Sequence, residues 1–240
     1  MWLLIDCGNT RVKWMLHNGE APVARGSVLH DEMHLLEHEW DRLPSPERVV
    51  GCNVAGDEVA HSIELLTRAW RLQPYWLTPQ ARQSGVSNRY RQPGQLGADR
   101  WAALIAARHL LQDNCLVACA GTALTVDALT AEGEFLGGII APGFRLMREA
   151  LAGNTADLGL LAGRFSAFPD NTADAIHSGV VQALVGAVSR MAEEMRLLGF
   201  ATKTCILSGG DAHLLRPHLN MKVVLVDNLV LEGLLRVVRE

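Results

Sequence analysis

The fold is decided by LLIDCGNTRVK, at residues 3–13, because a variant of it, LVACAGTALTVD, returns at residues 116–127. Each stretch is an apolar run, a glycine with a nearby threonine, and a second apolar run, which predicts a strand, a tight turn and a returning strand. Gly8 aligns with Gly121, close to half of the 240-residue chain away. The repeat predicts two similar halves, each with a polar glycine turn whose backbone N–H groups can bind phosphate.

Size and composition fit this duplication. A chain of 240 residues with 49% hydrophobic residues can form one large domain or two small ones. The repeat favours two domains, at residues 1–114 and 115–240. The net charge of -4 offers no electrostatic reason to expect nucleic acid or an anionic membrane as a partner.

The cysteines and the N-terminus indicate the compartment. None of the five cysteines forms a C-x-x-C pair, so we interpret them as reduced thiols of the core. The sequence shows no cleavable apolar leader and no apolar run of about 18 residues. We therefore expect a cytoplasmic protein without a membrane partner.

Hydrophobic periodicity predicts three strands followed by alternating helices and strands in each half. This order is typical of an α/β fold in which helices cover mixed sheets. The longest stretch without a helix or strand pattern, residues 79–97, is polar, and such segments often carry function. It leads into a predicted helix at residues 99–111, and a long helix is predicted at 172–198.

The first candidate site is DCGNT, at residues 6–10. A glycine turn lets the backbone approach a phosphate, Asn9 and Thr10 add donors, and Lys13 can neutralise phosphate charge. Asp6 can hold Mg²⁺, usually through water. An ordinary hairpin turn explains the same residues equally well.

The second candidate is Asp99, which follows the polar segment. An isolated aspartate at the start of a helix is more often a simple N-cap. Arg100 lies beside it, however, and Tyr90 lies in the same segment. A carboxylate there can accept a proton from an alcohol while the arginine binds an anionic substrate.

Three further turns are weaker candidates. Gly121-Thr122 is the counterpart of the first turn, and residues 208–211 (SGGD) can let a nucleotide lie close to the backbone. Asn171-Thr172 lies near the start of the long helix, where we expect Thr172 to be the cap, although its hydroxyl can also donate to a ligand. The i, i+4, i+8 spacing of His30, His34 and His38 resembles a metal-binding face, but we interpret it as a solvated helix face.

Taken together and in this order, these segments resemble type III pantothenate kinases, of the acetate and sugar kinase, heat-shock ATPase and actin superfamily. The chain also resembles the related Bvg accessory factor group, whose members have been linked to transcription. The resemblance covers essentially the whole chain. It is carried by DCGNTRVK (6–13), YRQPGQLGADR (90–100), AGTALTVD (120–127), GGIIAPG (137–143), NTADAIHSG (171–179) and LSGGDA (207–212).

The resemblance implies duplicated RNase H-like domains with ATP between them, a homodimer, and phosphorylation of pantothenate with Mg-ATP in the first step of coenzyme A biosynthesis. It implies Asp99 as the general base. The implied ATP-binding residues are Asp6, Cys7, Gly8, Asn9, Thr10, Arg11, Val12, Lys13 and Thr122, with Asp6 near the Mg²⁺. The implied pantothenate-binding residues are Tyr90, Gly97, Ala98, Asp99, Arg100 and Thr172.

One position departs from the family pattern. The family usually has an aspartate two residues before the Gly121 position, where it holds a monovalent cation such as K⁺ or NH₄⁺. Cys119 stands there instead, and a neutral thiol is a poor ligand for a hard cation. The cation requirement therefore does not follow for this chain. The alternatives are another small-molecule kinase of the superfamily and a non-catalytic regulatory protein of the same fold.

Overall fold

The structure, a computed structural model, describes residues 1–154 and 161–240. The chain groups into two compact units. Unit 1 comprises residues 1–110 and 228–240, and unit 2 comprises residues 111–227. The sequence analysis predicted a boundary between residues 114 and 115. The structure differs at the closing segment, residues 228–240, which belongs to unit 1 because its helix contacts the first sheet.

The secondary structure follows the expected alternation. The strands are β1 Trp2–Cys7, β2 Arg11–His17, β3 Pro22–Leu29, β4 Arg48–Asn53, β5 Tyr75–Trp76, β6 Arg82–Gln83, β7 Val86–Asn88, β8 Cys115–Ala120, β9 Ala123–Leu129, β10 Glu134–Pro142, β11 Thr204–Ser208 and β12 Lys222–Leu225. The helices are α1 His34–Trp40, α2 Asp57–Thr67, α3 Ala98–Leu110, α4 Phe144–Asn154, α5 Thr172–Leu197, α6 Ala212–Leu215 and α7 Leu229–Val238.

The sheet of unit 1 has the order β3-β2-β1-β4-β5. Strand β1 is antiparallel to β2 and parallel to β4. Alternate residues of β1 point to opposite faces. Leu3 and Ile5 belong to a core that includes Leu36 of α1 and Ile63 of α2. Asp6 therefore points to the other face, on which α3 and α7 pack.

Unit 2 repeats this arrangement. Its strands follow the order β12-β11-β8-β9-β10, with β8 antiparallel to β9 and parallel to β11. Helix α5 packs on one face of this sheet, against Leu116, Ala118 and Val126. Strands β8 to β12 thus correspond one by one to β1 to β5, and the predicted duplicated α/β fold is confirmed.

Two local expectations differ from the structure. Residues 79–97 contain the β6–β7 hairpin and a 3-10 turn at Pro93–Gln95, because strands of two or three residues are too short to show alternation. The cap of α5 is Asn171, whose side chain accepts from the Asp174 N–H, and not Thr172. The sequence also predicts a loop-rich connection at residues 154–171, of which residues 155–160 lie outside the described residues.

None of the helices in the described ranges has the length and apolar content needed to span a bilayer.

Gly233 lies where α7 packs closely against α3 in unit 1. A Cβ atom there would overlap the carbonyl oxygen of Ala102 on α3. We expect Gly233→Ala to lower the free energy of unfolding by about 1–3 kcal/mol through overpacking. Gly186→Ala on α5 is the matched control, because no atom lies within 4 Å of its Cβ position. Urea unfolding that gave equal losses for both variants would contradict this account.

Candidate active site

The first glycine turn joins β1 to β2. The Gly8 N–H donates to the Arg11 carbonyl at 3.1 Å, and Asn9 is exposed at the tip. His30 also contacts this turn, with its Nε2 2.8 Å from the Gly8 carbonyl oxygen. The sequence analysis missed this contact because 22 residues separate the two positions. The His30 side chain, which lies outside the β1–β2 hairpin, therefore helps to hold the turn in place.

The regular histidine spacing does not form one helical face. His30 lies in a 3-10 turn at His30–Glu32, whereas His34 and His38 lie on α1. In the described ranges, no cluster of three or more His, Cys, Asp or Glu side chains is arranged to hold a metal ion.

Asp6 lies at the centre of the polar face of the first sheet. In the strand register Asp6 pairs with Lys13 on β2 and with Cys52 on β4. The Cys52 thiol donates to Asp6 Oδ1 at 3.4 Å. Paired residues project to the same side of a sheet, so Lys13 and Cys52 flank the Asp6 carboxylate. Cys52 is a second neighbour that the sequence analysis missed.

Removal from water dominates the electrostatics of Asp6. Although part of the residue stays accessible, burial raises the pKa of its carboxyl to about 6. The Lys13 charge lowers this pKa, the Asp99 charge raises it, and the Cys52 hydrogen bond lowers it. The Asp99 charge thus acts on Asp6 in the same sense as burial does. A cation bound at Asp6 would stabilise its negative charge.

Asp99 belongs to the first turn of α3. The helix begins at Ala98, so Asp99 lies inside it and is not its cap. Asp99 Oδ1 accepts from the Arg100 N–H at 2.8 Å. A Cβ atom on Gly97 would lie 2.5 Å from the same oxygen. Gly97 therefore provides the space that the Asp99 carboxylate occupies.

Arg100 and Tyr90 are in direct contact. Arg100 is only 5% exposed, and its Nη1 donates to the Tyr90 hydroxyl at 3.2 Å. Its guanidinium carbon also lies 5.9 Å from the centre of the Tyr90 ring. A buried arginine held in this way is a preorganised partner for a carboxylate. The structure thus brings together the two residues that the sequence analysis paired.

The second glycine turn, at Gly121-Thr122 in unit 2, is contacted by two other loops, which carry Gly143 and Gly209. The Gly121 N–H donates to the Ala123 carbonyl at 3.0 Å, and the Gly143 N–H donates to the Thr122 carbonyl at 2.9 Å. A Cβ atom on Gly143 would overlap the Gly121 carbonyl, and one on Gly209 would overlap the Ala120 carbonyl. Glycine is therefore needed for these loops to meet at the end of β8.

The predicted site residues are divided between the units. Residues 6–13, Tyr90 and residues 97–100 belong to unit 1, whereas Thr122 and Thr172 belong to unit 2. Thr172 is exposed as the first residue of α5. It can therefore present its hydroxyl to a ligand.

The surroundings of Cys119 bear on the monovalent cation. Cys119 on β8 pairs with Thr125 and with Ser208, so the three side chains share one face of the sheet. Asp127 lies two residues along β9 on the same face and is 1% exposed. The Cys119 thiol is a poor ligand for a hard cation such as K⁺, whereas Thr125, Ser208 and Asp127 bring oxygen atoms to the same face of the sheet.

Solved structures of other proteins share this fold. A Campylobacter jejuni protein described as a Baf family transcriptional activator has a TM-score of 0.64 at 21% identity, covering 99% of this chain and 97% of its own. The inorganic polyphosphate/ATP-glucomannokinase of Arthrobacter sp. strain KM has a TM-score of 0.50 at 15% identity, covering 100% and 99%. The duplicated sheets with their glycine turns define the class as the sugar kinase and actin-like ATPase fold.

Sequence comparison then identifies the family. The profile of type III pantothenate kinase matches residues 2–194. Type III pantothenate kinases of Nitrosospira multiformis and Aromatoleum aromaticum are 48% and 50% identical to the chain. These alignments cover 99% and 100% of this chain, and 91% and 98% of the two relatives. The chain belongs to the type III pantothenate kinase family.

Proposed function

We propose that this protein phosphorylates pantothenate with ATP, forming 4'-phosphopantothenate in the first step of coenzyme A biosynthesis. Membership of the family supports this activity. The single observation that carries it is the position of Asp99 in the first turn of α3, next to Arg100, whose guanidinium group donates to the Tyr90 hydroxyl. In this proposal unit 1 supplies the proton acceptor, the anion-binding group and the turn that binds phosphate.

Phosphoryl transfer depends on positioning and charge neutralisation more than on covalent chemistry. In our proposal the turn and strands at residues 6–13 bind the ATP phosphates. The backbone N–H groups of the turn would donate to phosphate oxygens, and Lys13 would balance their charge. Thr122, on the second glycine turn, would add a further contact with ATP.

Mg²⁺ would accompany the nucleotide, and Asp6 is the residue that would hold it. A magnesium ion bound with ATP needs only one or two protein carboxylates, because phosphates and waters supply the remaining ligands. The half-buried Asp6 carboxylate, with Lys13 and Cys52 beside it, fits this requirement. When bound, the ion neutralises the negative charge of the phosphates.

Asp99 is the proposed general base. Its carboxylate would orient the pantothenate hydroxyl and accept its proton as the bond to phosphorus forms. Arg100 would bind the pantothenate carboxylate, and the Tyr90 hydroxyl already holds its guanidinium group in place. Gly97, Ala98 and Thr172 would complete the substrate contacts.

A homodimer is part of this proposal. In unit 2, Ile139 and Ile140 on β10 and Leu146 and Leu151 on α4 are exposed, and Ile140 is 65% accessible. An exposed apolar surface of this kind supports self-association.

The experiment that tests the proposed function is release of ADP from Mg-ATP with and without pantothenate. We expect release to require pantothenate, and glucose or another sugar not to replace it. Release that required a sugar would favour another kinase of the superfamily. If no candidate acceptor stimulated release, the non-catalytic regulatory alternative would be favoured.

The cation dependence is a separate prediction. Because Cys119 replaces a carboxylate, we expect the pantothenate-dependent rate to be equal within about twofold in K⁺, NH₄⁺ and Na⁺. Cys119→Asp restores an oxygen ligand and should make the rate respond to K⁺. Cys205→Ala, at a buried thiol of β11, is the control and should change nothing. A wild-type rate that fell severalfold in Na⁺ would mean that other groups hold the cation.

A further inference from the structure

The segment between β7 and α3, residues 89–97, places Tyr90 against Arg100, and the Asn88 side chain forms two hydrogen bonds with it. Asn88, the last residue of β7, accepts from the Tyr90 N–H through Oδ1 at 3.0 Å. Its Nδ2 donates to the Pro93 carbonyl at 3.3 Å. A single carboxamide therefore connects the beginning of this segment to its 3-10 turn.

Asn88 itself is fixed by its neighbours in unit 1. Its backbone N–H donates to the Ala81 carbonyl at 2.9 Å. The hairpin that carries it is tied to α3 by the Trp101 Nε1, which donates to Gln83 Oε1 at 2.9 Å. The hairpin that carries Asn88 is thus attached to α3, the helix that bears Asp99 and Arg100.

Tyr90 is consequently restrained through both its backbone and its hydroxyl. Asn88 holds its backbone, and Arg100 donates to its hydroxyl. If Asn88 released the backbone, the ring would lose its fixed position against the guanidinium group. The Arg100 side chain, which is 5% exposed, would then lose a partner that orients it.

We propose that Asn88 is a positioning residue for pantothenate binding, which acts by holding Tyr90 against Arg100. This inference rests on the proposed function and extends it to a residue that does not touch the reacting atoms. The chemistry requires an amide, because one acceptor and one donor must act at once. Aspartate keeps the acceptor alone, and alanine keeps neither.

Steady-state kinetics test the proposal. Asn88→Ala should raise the KM for pantothenate about tenfold, the effect of losing two neutral hydrogen bonds, and leave the KM for ATP within about twofold. Asn88→Asp should give an intermediate increase, because it still accepts from the Tyr90 N–H. Gln92→Ala is the matched control, since it breaks only the Gln92–Gln95 side-chain hydrogen bond of the same segment. It should leave both KM values unchanged.

Hydrogen–deuterium exchange at the Tyr90 amide gives a readout that is independent of catalysis. Exchange should be slow in the wild type and in Asn88→Asp, and fast in Asn88→Ala. Unchanged exchange in Asn88→Ala, or fast exchange with a normal KM for pantothenate, would overturn the inference, as would equal increases in both KM values. If the wild type had no pantothenate-dependent turnover, the proposed function would fail, and exchange would still decide whether Asn88 holds Tyr90.

Discussion

Asp99→Asn is expected to lower kcat by about 10²–10⁴-fold, the usual contribution of a general base. The asparagine oxygen can still accept from the Arg100 N–H, as Asp99 Oδ1 does at 2.8 Å, and the amide fits the space beside Gly97. The fold of α3 and the affinity for Mg-ATP should therefore be retained. What the variant loses is the ability to accept a proton from the substrate hydroxyl.

Asp57→Asn is a suitable control, because Asp57 also lies in the first turn of a helix, α2. It should leave kcat unchanged. Turnover is measured by ADP release and nucleotide affinity by calorimetry. If Asp99→Asn retained more than about a tenth of the wild-type kcat, Asp99 would not be the base. If it lost Mg-ATP binding as well, its main role would be electrostatic.

The main features of the fold could be predicted because they depend on local patterns. A strand, a glycine turn and a returning strand are encoded within about a dozen residues, and their repetition indicated the duplication that the strand orders show. The short strands β6 and β7 could not be predicted, since each has three residues or fewer. The attachment of α7 to the first unit depends on contacts between opposite ends of the chain.

The residues of the candidate site could likewise be predicted only where they stand in a local motif. Asp6, Asp99 and Arg100 stand in motifs, so they could be selected as candidates from their neighbours in the sequence. His30 and Cys52 contact the site across 22 and 46 residues, and neither stands in a motif. Asn88 adjoins the motif that begins at Tyr90, but its role depends on a loop geometry that the sequence does not show.

Asp6→Asn is expected to abolish turnover and to stabilise the protein at neutral pH. Turnover is lost because a neutral amide is a poor ligand for Mg²⁺. The stability gain follows from the pKa of the Asp6 carboxyl, which burial raises from 3.8 to about 6. The folded state therefore binds this proton more tightly than the unfolded state does.

The sign of the stability effect follows directly. The stabilisation from the protonated Asp6 is complete below the unfolded pKa and is lost as the pH rises through about 6. At pH 8 the ionised carboxylate lowers the free energy of unfolding by on the order of 2 kcal/mol relative to a neutral group. Asp6→Asn should then raise Tm by several degrees at pH 8, and the gain should shrink toward pH 4.5.

Asp174→Asn provides a control of opposite sign. Hydrogen bonds from the Arg164 N–H and from Asn171 lower the pKa of Asp174, so ionised Asp174 stabilises the fold above its unfolded pKa. Its replacement should lower Tm at pH 8. If Asp6→Asn also melted lower at pH 8, its carboxylate would be a net stabilising group, and the raised pKa would be wrong. If the variant gained stability but kept its turnover, Asp6 would not be part of the phosphate site.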